Sequence, residues 1–328
     1  MVGAAPHEII FTSGATEADN LAIKGVVGAT GQSNSHVVTV TTEHPAILDS
    51  CAALEKGGTR ISYLKVDSDG RIESRELDAA MDNDTILVSV MTVNNETGVI
   101  QNIEEIGALC RQRGIRFHTD AVQAIGKIPF HVDKAKVDLA SITAHKMYGP
   151  KGVGALYIRD HSTEHRMHAQ MDGGGHEQGM RSGTLNVPGI VGLGAAAELV
   201  NRELEEEMLR LAKMRQQIEE ALFARLPGTH INGHPEYRVP GTMNLSFDGC
   251  RSDELISVCT QLAFSSGAAC HAGLSEPSPV LKAMGLETQR ALGAIRLSLG
   301  RFSTQEHVEL AIRALIGAVE SIRRSSIQ

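Results

Sequence analysis

ILVSVM at residues 86–91, IEEIGALCRQR at 103–113 and IRFHT at 115–119 decide the architecture of this chain. The first and third runs are short, apolar and β-branched, the composition of buried strands. Between them Ile103, Ile106 and Cys110 recur at steps of three and four, the spacing of one helix face. A strand, a helix and a second strand in that order make a crossover unit that lays its strands parallel. Outward from this unit, HVVTVT (36–41), VDLASIT (137–143) and VGALYI (153–158) read as further strands. Residues 46–56 and the segment after Thr16 read as further helices. The pattern predicts an α/β protein whose mostly parallel sheet is flanked by helices.

Around Gly189 the texture changes. Leu199, Val200, Leu204, Met208, Leu211, Met214, Ile218 and Leu222 recur at steps of three and four, which predicts one long amphipathic helix ending near Pro227–Gly228. Beyond it the spacing predicts a strand over 241–247, helices over 253–262 and 279–284, a strand over 294–299 and a helix over 305–323. These divide the chain into a large domain, 1–203, and a smaller α+β domain, 204–328.

The 328 residues carry 31 Lys+Arg against 39 Asp+Glu, a formal net charge of −8, which argues against nucleic acid or an anionic membrane as partner. No apolar run approaches the roughly 20 residues of a membrane span, and Met1–Gly14 does not read as a signal peptide. Five cysteines without CxxC or CxxH spacing suggest neither a disulfide framework nor a zinc site, and point to a reducing, cytoplasmic setting. Cys51, Cys110 and Cys259 sit among apolar neighbours and read as core residues, whereas Cys250 reads as a turn residue.

Three clusters place glycine and polar residues where a core would want neither. Thr12-Ser13-Gly14-Ala15-Thr16-Glu17 follows Ile9-Ile10-Phe11 and opens a helix, so its backbone N–H groups can receive a phosphate; an ordinary N-cap at Ser13 or Thr16 is the alternative. Asp120, in His118-Thr119-Asp120-Ala121-Val122-Gln123, stands at the carboxyl end of a strand, where α/β sheets bind ligands; a helix N-cap is again the alternative. Lys146 follows an apolar strand, beside Thr143 and His145 and before Tyr148-Gly149-Pro150. Desolvated there, it can serve as an imine-forming amine, although a lone lysine is more often a solvated loop residue. A phosphate seat, an acid for a pyridinium nitrogen and an imine-forming lysine together make the pyridoxal phosphate kit.

These blocks, with Thr42-Glu43-His44, Asn94-Asn95-Glu96-Thr97-Gly98, Gly173-Gly174-Gly175, Arg181-Ser182-Gly183-Thr184, Ser265-Ser266-Gly267-Ala268-Ala269-Cys270 and Arg296-Leu297-Ser298, resemble the NifS/IscS-type cysteine desulfurases. The resemblance runs from about Pro6 to about Ser303. It implies a fold-type-I protein of the class V aminotransferase family, with a seven-stranded-type sheet and pyridoxal 5'-phosphate as cofactor. It further implies Lys146 as the imine-forming lysine, Asp120 as the partner of the pyridine nitrogen, His44 stacked on the ring and Gln123 on its phenolic oxygen. Ala15, Thr16, Thr143 and His145 match the phosphate seat, and Thr184 a phosphate contact supplied across a homodimer. Asn95 and Arg296 match the groups that hold the substrate carboxylate, and Cys270 the nucleophile that takes sulfur from L-cysteine as a persulfide.

The resemblance also implies that the sulfur passes to acceptor or iron–sulfur scaffold proteins, with Cys270 as a transient iron–sulfur ligand. Gly-Ala-Ala-Cys-His at 267–271 is also similar to selenocysteine lyases, so that activity, or another class V aminotransferase-like one, is the alternative. The family carries a segment with an Asn-Ala-Thr-Thr signature ahead of the SGATE block, where this chain begins almost at once; a truncated, catalytically impaired relative is therefore a further expectation. Three expectations come from composition. The loop 173–183, with five glycines and little apolar content, is expected to find no anchor in its own domain. The small-residue Cys270 loop is expected to be mobile, its cost of ordering offset by little burial. Ser278 and Pro279 are expected to cap and open the following helix.

Overall fold

A computed structural model describes residues 1–31, 34–160, 167–266 and 276–325. The strand–helix–strand stretch forms as read: β4 (Thr85–Ser89), α4 (Ile103–Arg113) and β5 (Arg116–Asp120), with β4 and β5 paired in parallel. They sit inside a seven-stranded sheet with β1 (Ile9–Thr12), β2 (His36–Val40), β3 (Arg60–Leu64), β6 (Leu139–Thr143) and β7 (Gly154–Ile158). The order is β1-β7-β6-β5-β4-β2-β3; β7 is antiparallel to both neighbours, and the other pairings are parallel. Every residue of β2, β6 and β7 is buried, as expected of strands covered on both faces. Three further helices belong here: α1 (Ala15–Thr30), α2 (Pro45–Lys56) and α3 (Ser74–Ala80).

Glycine fixes two close approaches. A Cβ on Gly107 of α4 would stand 2.0 Å from the Ala135 carbonyl oxygen. One on Gly154 would meet the backbone of Gly14 at 2.8 Å, so β7 can pass directly behind the turn that opens α1.

Two compact units divide the chain, the first comprising Met1–Lys65, Ile72–Asn94 and Gln101–Leu204, the second Val66–Arg71, Asn95–Ile100 and Glu205–Gln328. The long helix α5 (Val187–Arg225) begins well before Leu199, because its first turns are rich in Gly and Ala and show no amphipathic period. In the second unit, β8 (Thr229–Ile231), β9 (Thr242–Phe247), β10 (Ser265–Ser266) and β11 (Ala294–Ser298) form an antiparallel sheet in the order β10-β11-β9-β8. Around it lie α6 (Ser252–Val258), α7 (Pro279–Ala283), α8 (Thr288–Leu292) and α9 (Gln305–Ser325). Its core joins Leu211, Ile218 and Leu222 of α5 to Val308, Leu315 and Val319 of α9. Cys250 closes the turn after β9, as read, its N–H donating to the Phe247 carbonyl at 3.1 Å, and its side chain is buried in this core; α6 stops at Val258 because Cys259 leaves helical dihedrals. Ser278 caps α7 as expected, its Oγ accepting the Leu281 N–H at 3.2 Å with Pro279 next.

Candidate active site

In the first unit, sequence-distant residues meet at the carboxyl ends of β5 and β6. Gly14, not Ser13 or Thr16, is the N-cap of α1, and it has no side chain to turn inward. The first N–H groups of the helix, at Ala15 and Thr16, therefore lack the side-chain acceptor that the N-cap reading required. A side chain at position 14 would reach only Thr143 Oγ1, at 4.0 Å, so the hydroxyl stands beside the helix start. Thr143 Oγ1 lies 3.0 Å from Nδ1 of His145. A helix N-terminus, a hydroxyl and an imidazole thus share one corner, a donor set for an anion.

Asp120 ends β5, almost fully buried. Its Oδ1 accepts the Val122 N–H at 2.9 Å in a turn, not at the head of a helix. Burial pushes its carboxyl up to about 6, against the pull of the Val122 N–H and the Lys146 charge. His44 caps α2, its Nδ1 accepting the Ala46 N–H at 3.1 Å, which leaves the ring proton on Nε2. Burial, and then the Lys146 charge, hold this imidazole below its ordinary range, so it is neutral. Gln123 Oε1 accepts from Lys127 Nζ, which leaves the amide N–H donors for another acceptor. Lys146 lies in the single 3-10 turn after β6 and is exposed. The expected desolvation is therefore absent: the turn lifts the side chain clear of the strand, and its charge acts on His44, Asp120 and His145.

Thr184 is exposed at the end of the glycine-rich loop. That loop is anchored in its own unit, contrary to the expectation from its composition. Glu177 Oε2 accepts the Phe11 N–H (2.7 Å), Gln178 Nε2 donates to the His7 carbonyl (2.9 Å), and Arg181 Nε donates to Glu17 Oε1 (2.8 Å). Met180 joins the core beneath. Polar side chains do what apolar ones were expected to do.

In the second unit Arg296 Nη1 donates to the Asn95 carbonyl at 2.9 Å. Glu96 Oε2 accepts from Ser278 Oγ at 2.5 Å, and burial pushes its carboxyl up to about 7 against the pull of Ser278 and Arg296. Ser265 of β10 pairs with Arg296 on β11. Cys270 lies outside the described residues. Cys51, Cys110, Cys250 and Cys259 are free and buried.

Glu43, His118 and Glu96 stand in the motif blocks without an assigned role, and Asp19 stands outside them. Asp19 was detectable, since it falls with Ala15, Ala18, Ala22 and Val26 on the apolar side of α1, where a carboxylate is out of place. Among the described residues no cluster suits a metal ion, and no helix is long and apolar enough to cross a membrane.

The donor set suits a phosphorylated aromatic aldehyde: an anion seat, a buried carboxylate for a cationic ring nitrogen and a primary amine for the carbonyl. Comparisons with known proteins identify the family. The aminotransferase class-V domain family matches residues 1–310. The chain is 51% identical over 326 residues to "Cysteine desulfurase IscS" of Anaeromyxobacter dehalogenans, covering 99% of this chain and 80% of that protein. A solved structure titled "NIFS-LIKE PROTEIN" superposes with a TM-score of 0.89 at 37% identity, over 97% of this chain and 84% of that one. Another, "SspA in complex with cysteine", gives a TM-score of 0.80 at 35% identity, over 92% of this chain and 84% of that one.

Proposed function

For a chain that belongs to the class-V aminotransferases and, within them, to the cysteine desulfurases, we propose the overall reaction L-cysteine + protein Cys–SH → L-alanine + protein Cys–S–SH, with pyridoxal phosphate as cofactor and Cys270 as the acceptor thiol. The observation that carries this reading is the joint placement of Asp120, His44 and Lys146, with one ammonium acting on both the acid and the imidazole.

Pyridoxal phosphate, when bound, supplies an aldehyde that joins amino groups and an electron-poor ring that accepts the electron pair released at the substrate's α-carbon. The N–H groups of Ala15 and Thr16, with Thr143 and His145, hold its phosphate. Asp120 keeps a proton on the ring nitrogen. Neutral His44 would pack against the ring, and the Gln123 amide would donate to the phenolic oxygen. Asn95 and Arg296 orient the substrate carboxylate, for which a planar guanidinium fork is apt. The Lys146 amine would take the substrate's α-proton and later return it. The Cys270 thiolate attacks the substrate sulfur: an S–S bond forms, the C–S bond breaks with its electron pair going to the β-carbon, and protonation of that carbon together with return of the α-proton yields alanine.

A homodimer is part of the proposal, with Thr184 reaching the phosphate of the partner subunit. Val187 and Val191, 59% and 66% exposed one turn apart on α5, support an uncovered apolar face. Sulfur delivery to acceptor or iron–sulfur scaffold proteins in the cytoplasm completes the reading.

Protein supplied with pyridoxal phosphate and L-cysteine is expected to produce alanine, and sulfide when a reducing thiol is present. Lys146→Ala should lose both the visible absorption band and alanine formation. Cys270→Ser should keep the band and lose sulfide release. Alanine and sulfide formation unchanged in Cys270→Ser would overturn the persulfide step.

A further inference from the structure

Three carboxyl groups of the first unit are buried together: Asp19 on α1, Glu43 in the turn after β2, and Asp120 at the end of β5, 1%, 2% and 6% exposed. Their partners are unequal. Asp120 has the Val122 N–H at 2.9 Å and the charge of Lys146. Glu43 has one donor, the Met91 N–H at 2.6 Å on Oε1, and its Oε2 has no partner among the described residues. Asp19 has at most one weak donor, the Ser141 hydroxyl, and neither of its oxygens is in a well-formed hydrogen bond. The ring beside it, His118, approaches with Nε2 at 3.8 Å but is bonded to Ser89 Oγ (2.9 Å) and Ser141 Oγ (3.0 Å). Burial pushes that imidazole down to about 3, so it brings no charge. Cys51 of α2, next to Glu43, is likewise a neutral thiol, pushed up to about 12.

A buried carboxylate without a cation or enough N–H donors takes up a proton instead of remaining charged. Three of them side by side cannot all ionise. We propose that Asp19 and Glu43 are neutral carboxylic acids near pH 7, and that their protonation leaves Asp120 as the single anion of the cluster. They are positioning residues: an anion at either place would raise the proton affinity of Asp120 and so neutralise the group that faces the ring nitrogen. Burial, followed by the charge of Asp120, raises both acids, the direction this requires. The proposal rests on the cofactor reading for what Asp120 faces, but the state of the two acids does not.

Infrared difference spectra of the cofactor-free full chain in H2O and D2O, near neutral pH, read that state directly. Wild type should show protonated-carboxyl C=O bands, one lost in Asp19→Asn and one in Glu43→Gln. In cofactor-loaded protein, the pH midpoint of the visible band should move by less than about half a unit in either variant, because an amide replaces a neutral acid. Removing a true anion would move it by about one unit or more. Bands that survive unchanged in both Asp19→Asn and Glu43→Gln overturn the proposal, because Glu96 alone would then account for them, and so does a midpoint shift of that larger size. Should either variant fail to fold, isotope-labelled Asp and Glu in wild type still count the protonated groups. A protein with the infrared bands but no visible band would fail the cofactor reading and leave the protonation claim standing.

Discussion

Glu96 and His118 are both buried ionisable groups, and their shifts tie stability to pH in opposite directions. Glu96 rises from its usual 4.5 to about 7, so the native state binds its proton more tightly than the unfolded chain. Its contribution is complete below about pH 4.5 and is lost as pH rises through about 7, with a ceiling of about 3 kcal/mol. Glu96→Gln should flatten the fall in thermal midpoint across that window. His118 drops from 6.5 to about 3, so its contribution is complete above about pH 6.5 and is lost as pH falls toward 3. The wild type should therefore lose stability on acidification below that point, and His118→Asn should lose less of it, as read by chemical denaturation at several pH values. Cysteine follows the same logic, because the thiolate is the reactive form. Burial pushes Cys51 and Cys110 up to about 12. Iodoacetamide should therefore modify Cys270 in folded protein well before these two, as peptide mapping would read.

At the scale of elements, packing leaves little tolerance at two points. Gly107→Ala drives a methyl into the Ala135 carbonyl and should cost about 1–3 kcal/mol through displacement of α4. Ser278→Ala removes the cap of α7 and the partner of Glu96, and should cost about 1 kcal/mol or more. Denaturant titration reads both. Most of these elements were legible from composition. The strands 36–41, 86–91 and 115–119 stand within a residue or two of their expected limits, because alternation and β-branching are local properties. Short β3 and β8 and the helix α3 escaped reading, since their residues are only partly buried and carry a weak pattern. The loop 173–183 was misjudged, because its anchors Glu177, Gln178 and Arg181 are polar and find their partners on β1, α1 and the turn before them.

For the whole molecule, the proposed dimer predicts about twice the chain mass by light scattering at micromolar concentration. A monomer with full cofactor occupancy would remove Thr184 from the phosphate seat. Val187→Glu paired with Val191→Glu should drive the protein toward monomer, because burying two carboxylates in an apolar contact is costly. The division into units also belongs to this scale. Residues 66–71 and 95–100 are drawn into the second unit, far from its main segment in the chain, and they bring Asn95 and Glu96 to Arg296 and Ser278.

The sequence by itself determined the order of strands and helices, the parallel character of the sheet, the long helix, the cap at Ser278 and the positions where polar residues interrupt apolar ones. Each of these depends on neighbours a few residues apart. Only the tertiary structure decided which polar residues face one another in the interior. Asp19, Glu43 and Asp120 converge from three elements of a single unit, and no local pattern shows how many donors each will find. Lys146 turned out exposed and the glycine loop anchored for the same reason. Burial and hydrogen-bond supply are set by what lies across the fold, 171 positions away in the case of Gln178 and His7.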